Sequence, residues 1–261
     1  MSKAKENWKK FWENVWETIK SSLILVIFFG MLSGIAFIGT INEEWCGSMS
    51  EGFNGARIAF VVIVVVILAA YAGFMGYAFG GKGYEMLVSG NMKRLSAEQL
   101  GSQMKISSHK EVQEYREWKG FAIGGVVAFF TLLFGILVGA NGDGVNAAFK
   151  LLTASGENAT PFENKGVAIL MLISMLCCGW SLLPFAYMNL SGMAVSYFWS
   201  CLFALIPVVV VGVFYIVGAY ANRAKTVKAQ QDADRAAEAE ANRPRKVNYG
   251  GLPGTKPKKK K

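Results

Sequence analysis

The chain has 261 residues, of which 53% are hydrophobic and 17% charged, and it carries a formal net charge of +9. Soluble domains have about 25% charged residues, so the composition excludes an ordinary soluble globular domain. All 27 Lys and Arg and all 18 Asp and Glu lie outside five apolar runs, each about as long as the roughly 20 residues that a spanning helix needs. We therefore predict an all-α integral membrane protein. The five runs are residues 23–41, 58–79, 121–140, 167–188 and 197–220.

The segment that precedes the first run, residues 1–20, is amphipathic. Its aromatic residues Trp8, Trp12 and Trp16 recur at helical spacing and share one face, while lysines occupy much of the rest. Trp prefers the headgroup zone and lysine suits an anionic cytoplasmic leaflet. We predict an interfacial amphipathic helix with these three tryptophans at the membrane interface. The alternative is that this face docks on a helix of another protein.

Small residues recur four apart in or directly beside the first three runs. This spacing lets helices approach closely, which is a main way in which helices pack in lipid. It predicts helix packing within the chain, and the alternative is a docking face for another subunit or for self-association. The glycines concerned are Gly30, Gly34, Gly76, Gly80, Gly135 and Gly139.

The segment between the second and third runs, residues 80–119, is predicted to be a helical cytoplasmic loop. Ser96 followed by Glu98 predicts one helix start, and Ser107 or Ser108 predicts a second. The second helix is expected to continue through residues 109–118 into the third run. A segment of this size is too small to bury a core of its own, so it is expected to dock a partner. On the other side of the membrane, residues 145–153 are predicted to form a short surface helix.

The fourth run contains Gly179 and Pro184, and both residues disfavour a regular helix. The distribution of charge bears on whether this run crosses. If all five runs span, Lys and Arg divide almost evenly between the two sides. If the fourth run does not cross, 24 of the 27 lie on one side, as the positive-inside rule expects. We therefore predict four transmembrane helices and one re-entrant or kinked segment, with an ordinary proline-kinked crossing as the alternative.

Polar uncharged residues concentrate near this segment. They predict a solute or lipid site between the fourth run and the last one, and the alternative is that they form hydrogen bonds between helices. The residues of this predicted site are Ser174, Trp180, Ser181, Tyr187, Asn189 and Tyr197.

The C-terminal tail divides into two parts. Residues 221–242 are rich in helix-forming Ala, Glu, Lys and Arg, and a cytoplasmic helix that continues the last run is predicted. Residues 243–261 contain Pro, Gly and a lysine cluster, which predicts a disordered basic tail attracted to anionic lipid headgroups. No specific nucleic-acid binding is expected.

The chemistry of catalysis and metal binding has no sequence signature here. No ionisable Lys, Arg, His, Asp or Glu lies inside a run, and His109 is the one histidine of the sequence. The cysteines form no metal or redox motif, and Cys177 and Cys178 are expected to be inert packing. We predict neither catalytic residues, nor a metal, nor a cofactor.

Two functions fit this pattern. The first is a non-enzymatic membrane subunit or scaffold that docks protein partners through the cytoplasmic loop, the basic tail and the glycine-lined faces. The second is a small permease or channel for a neutral or weakly polar solute, with a site near residues 174–200. The expected location is the plasma membrane, by default a bacterial inner membrane, with both termini cytoplasmic.

Overall fold

A computed structural model describes residues 3–46, 54–99, 113–153 and 164–242, and over these residues the chain is all-helical. The predicted helix start at Ser107 or Ser108 and the predicted disordered tail 243–261 lie outside the described residues. The chain divides into two compact units, Met1–Asn222 and Arg223–Lys261. Between residues 223 and 242 the second unit is helical, and almost all of its side chains are exposed.

Seven α-helices and one long 3₁₀ helix make up the described chain. Five of the helical segments are long and apolar enough to cross a membrane, judged by length and composition. This agrees with the five apolar runs. The helices are α1 (Lys3–Ile41), α2 (Glu43–Cys46), α3 (Gly55–Gln99), α4 (Trp118–Ala140), α5 (Gly142–Thr153), α6 (Lys165–Leu190), the 3₁₀ helix (Tyr197–Ala204) and α7 (Leu205–Ala241).

Helices α1 and α3 form an antiparallel pair. The ring of Phe28 stacks on that of Tyr71 at 3.7 Å between centroids, and closer to the connection Phe60 lies against Gly39. The amphipathic segment 1–20 is continuous with the first apolar run, because α1 has no break between Lys3 and Ile41. Interfacial placement of that segment stays a prediction.

The segment between α3 and α4 differs from the prediction in two respects. Ser96 is not a helix start, because α3 continues without interruption from Gly55 to Gln99. The predicted helix 109–118 does not run into the third apolar run either. Residues 113–117 are a short non-α-helical stretch, and α4 begins at Trp118. By contrast, the short surface helix predicted at 145–153 is confirmed as part of α5.

Helix α7 packs closely against α3 and α4, and glycines make these contacts. An added Cβ at Gly76 would lie 2.7 Å from the carbonyl oxygen of Val211, and one at Gly80 would overlap the carbonyl of Tyr215. On α4, Gly135 and Gly139 face the 3₁₀ helix, where added Cβ atoms would meet Cys201 and Phe198 at 2.9 and 3.0 Å. These four glycines are therefore occupied by contacts within the chain.

Two further predicted glycines have more space. An added Cβ at Gly34 would make an ordinary contact with Leu176 at 3.6 Å, and one at Gly30 would meet nothing within 4 Å. The last apolar run also departs from the prediction, because residues 197–204 are 3₁₀ rather than α-helical. Helix α7 extends to Ala241 and so covers most of the segment 221–242 for which a helix was predicted; the cytoplasmic placement of that segment stays a prediction.

Both ends of α6 contact the short helix α5. Near the start of α6, a methyl group of Val167 would lie 3.0 Å from a Cβ added to Gly144. Near its end, the ring of Tyr187 lies 5.6 Å from that of Phe149. A straight helix would hold Val167 and Tyr187 about 30 Å apart, whereas Gly144 and Phe149 are only about 8 Å apart along α5.

The middle of α6 lies far from α5. Cys177 and Cys178 border the same cavity as Val127 and Thr131 of α4, and Thr131 is about 14 Å along α4 from its end at Ala140. Helix α6 is therefore a hairpin of two helical legs, with its bend about midway along α4. The kink that Gly179 and Pro184 predicted is confirmed, but it falls at Cys178.

The bend has a local chemical basis. Cys178 leaves the helical region, with φ −131° and ψ 22°, and the hydroxyl of Ser181 donates to its carbonyl oxygen at 2.9 Å. Gly179 lets α1 approach closely, because an added Cβ would lie 3.1 Å from the carbonyl oxygen of Ser33. Pro184 lies within the second leg and not at the bend.

The glycine contacts of α7 lead to a testable prediction. We expect Gly80→Ala to destabilise the protein by about 1–3 kcal/mol, because the new methyl group would overlap the Tyr215 carbonyl. The measurement is thermal unfolding of the purified protein in detergent. Gly125→Ala is the matched control, since its Cβ would meet nothing within 4 Å and Ala favours a helix over Gly. Equal destabilisation by the two substitutions would contradict this packing.

Candidate functional site at the bent helix

A buried arginine lies where α1 ends and α3 begins, which we term the Arg57 end of the bundle. Arg57 is 1% exposed, and its Nε donates to the carbonyl oxygen of Thr40 at 3.1 Å. Its guanidinium carbon lies 5.5 Å from the centroid of the Tyr187 ring. Buried charges are tolerated when they are paired and hydrogen-bonded, and the Tyr187 face adds a cation–π attraction. Arg57 therefore ties the second leg of α6 to both α1 and α3.

The start of α3 orients this arginine. Asn54 precedes the helix, and its Oδ1 accepts from the backbone N–H of Arg57 at 2.9 Å, as an N-cap side chain does. Its amide nitrogen donates to the carbonyl of Cys46 at 2.5 Å. From sequence, Arg57 counted only as one of three positive residues on its side of the membrane. Its pairing was missed because Thr40 and Tyr187 are distant in the chain, although Asn54 is a recognisable cap.

The turn that leaves α6 is held by side-chain amides. Asn189 pairs with Val195 twice, donating to its carbonyl at 2.9 Å and accepting from its N–H at 2.7 Å. The hydroxyl of Tyr197 donates to Oδ1 of Asn146 on α5 at 2.7 Å. Tyr197 is also close to Gly142, where an added Cβ would meet its ring at 3.7 Å. The end of α6 and the start of the 3₁₀ helix are thereby fixed beside α5.

The other residues of the predicted site are buried in the legs of the hairpin. The hydroxyl of Ser174 donates to the carbonyl of Leu170 in its own helix at 2.6 Å, and Ser181 caps the bend. Trp180 makes edge-to-face contacts with Phe29 and Phe203, at 5.5 and 6.1 Å between centroids. The predicted residues therefore do not form one cluster: Trp180 and Ser181 lie at the bend, whereas Tyr187, Asn189 and Tyr197 lie beside α5. Four of the six make side-chain hydrogen bonds within the chain. Trp180 alone of the six borders a cavity described here.

That cavity lies beside the bend and is apolar. It has a volume of about 180 Å³ and is bordered by α1, α4 and α6, including Phe29, Gly30, Val127, Cys178 and Trp180. Gly30 widens it, because no heavy atom lies within 4 Å of the position of its missing Cβ. Such a lining can hold apolar groups but offers little to a polar solute.

A second pocket lies at the opposite end of the bundle, which we term the Lys119 end. It has a volume of about 120 Å³, and α1, α3, α4, α7 and the segment before α4 line it. Its polar residues include Glu17, Lys82, Gln113 and Lys119. The amide of Gln113 donates to the Glu17 carboxylate at 2.9 Å. Sequence reasoning missed this pocket because its residues come from separate parts of the chain, and the charges of Glu17, Lys82 and Lys119 were each interpreted as facing solvent.

The segment that closes this pocket is anchored to α3 and α7. The N–H of Tyr115 donates to the carbonyl of Gly83 at 2.9 Å, and the Tyr115 ring stacks on that of Tyr215 at 5.4 Å. Burial, followed by the negative charge of Glu117, raises the pKa of Tyr115 above its ordinary value, so the ring stays neutral at physiological pH. The buried amine of Lys119 donates to the carbonyl of Glu114 at 2.7 Å.

Comparison with protein-family models, curated proteins and solved structures gives no match for this chain. Within the described ranges no group of three or more His, Cys, Asp or Glu could hold a metal ion. Cys177 and Cys178 are free thiols, exposed and buried respectively. A function for the chain must therefore be argued from its own contacts, cavities and charges.

The Arg57–Tyr187 contact can be tested with a matched pair of substitutions. We expect Tyr187→Leu to lower the free energy of unfolding by about 1–2 kcal/mol, because it removes the ring that faces Arg57 and Phe149. Tyr187→Phe keeps the ring and removes a hydroxyl that has no hydrogen-bond partner among the described residues, so its stability should match the wild type. Thermal unfolding in detergent measures both. Equal losses for Phe and Leu would show that the hydroxyl, and not the ring face, makes the contact.

Proposed function

We propose that this chain is a multi-pass membrane protein with four crossings, made by α1, α3, α4 and the 3₁₀ helix with α7. In this proposal α6 enters the bilayer from the Arg57 end, bends at Cys178 and returns to the same side. Both termini then lie at the Lys119 end, which faces the cytoplasm. The hairpin contacts of α6 and the 24-of-27 division of Lys and Arg support this arrangement independently.

The surroundings of the bend also support it. Irregular backbone is tolerated at membrane depth only where protein buries it or where it lines a water-filled cavity. Cys178 is 2% exposed and Ser181 is 0% exposed. The Ser181 hydroxyl supplies a hydrogen bond to the bend carbonyl, so the residues that leave helical geometry are not presented to lipid.

Reporter fusions test the topology. Fusions after Met193 and after Lys261 should report the outer side and the cytoplasm respectively, because the hairpin adds no crossing between the third and the fourth. If α6 crossed instead, Met193 would lie in the cytoplasm and Lys261 would lie outside. A cytoplasmic Met193 or an external Lys261 would overturn the arrangement. A fusion after Ala140 serves as the control, since it is external in either case.

We further propose that the protein acts as a non-enzymatic membrane subunit that docks a protein partner on its cytoplasmic side. One observation carries this proposal: an exposed aromatic face on the N-terminal part of α1. Trp8, Phe11, Trp12 and Trp16 are each more than half exposed. Trp8 stacks on Phe11 and meets Trp12 edge-to-face, both at 5.7 Å, so the face is a continuous apolar surface.

The continuity of α1 favours a protein partner over the headgroup layer. Trp8 lies 15 residues before the start of the apolar run at Leu23, or about 22 Å along the helix axis. The headgroup region adds only about 5–8 Å to each side of the hydrocarbon core. A helix that continues in line with the crossing therefore carries this face beyond the headgroups, where an apolar helix face fits a groove or helix of another protein.

Photo-crosslinking tests the partner proposal. A photoreactive residue in place of Trp12 should give a discrete crosslinked protein band from intact membranes, identifiable by mass spectrometry. The matched control is the same residue at Lys10, which is exposed on the opposite side of α1, and it should give a much weaker band. Crosslinks from Trp12 to lipid alone, with no protein adduct, would favour the interfacial placement of this segment and count against the docking proposal.

A permease or channel for a neutral or weakly polar solute is the second candidate function. The bent helix favours it, because discontinuous helices line the sites of many transporters near the bilayer midplane. Two observations give it less support than the docking proposal. The polar side chains of the predicted site are buried or half-buried and mostly engaged within the chain, and the cavity beside the bend is lined mainly by apolar residues.

A further inference from the structure

The polar pocket at the Lys119 end combines charges of both signs. Lys82 and Lys119 contribute positive groups, and Glu17 contributes a carboxylate that accepts from Gln113. The charged groups in its lining therefore leave an excess of one positive charge. This balance suits a ligand with a single negative charge and neutral hydroxyl groups that can donate to Glu17.

The pocket lies at the boundary between polar and apolar sequence. The first apolar run begins at residue 23 and the third at residue 121, whereas the pocket is lined by Ser21 and Lys119 of the same two helices. On α3 the second run ends at residue 79, just before Lys82. In the proposed topology this is the depth of the cytoplasmic headgroups.

The apolar cavity beside the bend is a separate space that lies deeper along two of the same helices, α1 and α4. The pocket reaches Ser21 on α1 and Ile123 on α4, and the cavity begins at Val26 and Val127. These steps amount to about 6–8 Å along each helix. A polar pocket followed by an apolar cavity, one helical turn deeper between α1 and α4, has the layout of a site for an amphiphile.

We infer that this site binds one molecule of an anionic glycerophospholipid of the phosphatidylglycerol class. The phosphate would lie beside Lys82 and Lys119, the headgroup glycerol would donate to Glu17, and one acyl chain would follow α1 and α4 to the space beside Gly30. The single negative charge of this headgroup balances the excess positive charge of the lining. Phosphatidylethanolamine would instead bring an ammonium group to a pocket with two lysines. The inference depends on the proposed topology but not on the binding of a protein partner.

Native mass spectrometry of the delipidated full-length protein in detergent tests the headgroup. Titration with phosphatidylglycerol should give a one-lipid adduct at roughly tenfold lower concentration than titration with phosphatidylethanolamine. Lys82→Gln should weaken phosphatidylglycerol binding about fivefold or more, because a charge-assisted contact is lost. Lys228→Gln, on an exposed part of α7, is the control and should leave binding unchanged. Equal binding of the two lipids, or no effect of Lys82→Gln, would overturn the inference.

A second pair of variants tests the acyl chain without disturbing a packed contact. Gly30→Leu should reduce the lipid adduct severalfold, because the new side chain would fill the cavity. Gly125→Leu should not reduce it. Both glycines have open space at the Cβ position, and of the two only Gly30 borders the cavity. Equal lipid adducts in Gly30→Leu and Gly125→Leu would show that the site does not hold a lipid chain. The same conclusion would follow if millimolar inorganic phosphate displaced the lipid and Gly30→Leu had no effect.

Discussion

Backbone carbonyl and amide groups that leave a regular helix inside hydrocarbon have no water to bond with, and each unsatisfied group costs several kcal/mol. In the proposed topology the bend at Cys178 places such groups about halfway along α4, and the surrounding helices enclose them. Ser181 bonds the bend carbonyl, Gly179 lets α1 lie directly against it, and Trp180 fills the space between Phe29 and Phe203. The hairpin is thus stable because protein encloses it.

Contacts elsewhere in the bundle hold the hairpin in this enclosed position. At the Arg57 end, α5 contacts both legs, and the buried arginine and the Asn189–Val195 hydrogen bonds hold the end of the second leg. Close glycine contacts hold α7 and the 3₁₀ helix against α3 and α4, which leaves α6 to pack between α1, α4 and α5. In lipid, where helices gain little from excluding water, such close approach is a main source of packing energy. Most of the glycines for which a docking face was the alternative make close contacts within the chain.

Sequence predicted the helices well where composition alone decides the outcome. Five apolar runs without a charge define the long helices, and the Gly179–Pro184 region marked the one that bends. It could not locate the bend at Cys178, because that depends on the approach of Ser33 and on Ser181. It was wrong at Ser96, where local cap signals suggested a new helix. Instead α3 continues past Gly80, a glycine that packs on α7.

The sites were harder to predict from the sequence, because tertiary contacts between distant segments determine them. The six residues predicted near the fourth run are close in sequence, but whether each faces a solute or a partner within the chain depends on tertiary contacts. Asn189, for example, pairs with the backbone of Val195. Arg57 and Lys119 were read as loop charges, yet both are buried, because their partners come from other helices. The proposed topology depends on the hairpin, which is therefore the central claim.

A distance across α6 tests that claim most directly. Nitroxide labels on cysteines at Lys165 and Ser191, both exposed, would be introduced in a background in which the native cysteines are replaced by alanine. Pulsed electron paramagnetic resonance in lipid nanodiscs would then measure their separation. The hairpin predicts a distance below about 25 Å, whereas a straight α6 of this length predicts about 39 Å. A single distribution centred near the longer distance would contradict the hairpin and, with it, the proposed topology.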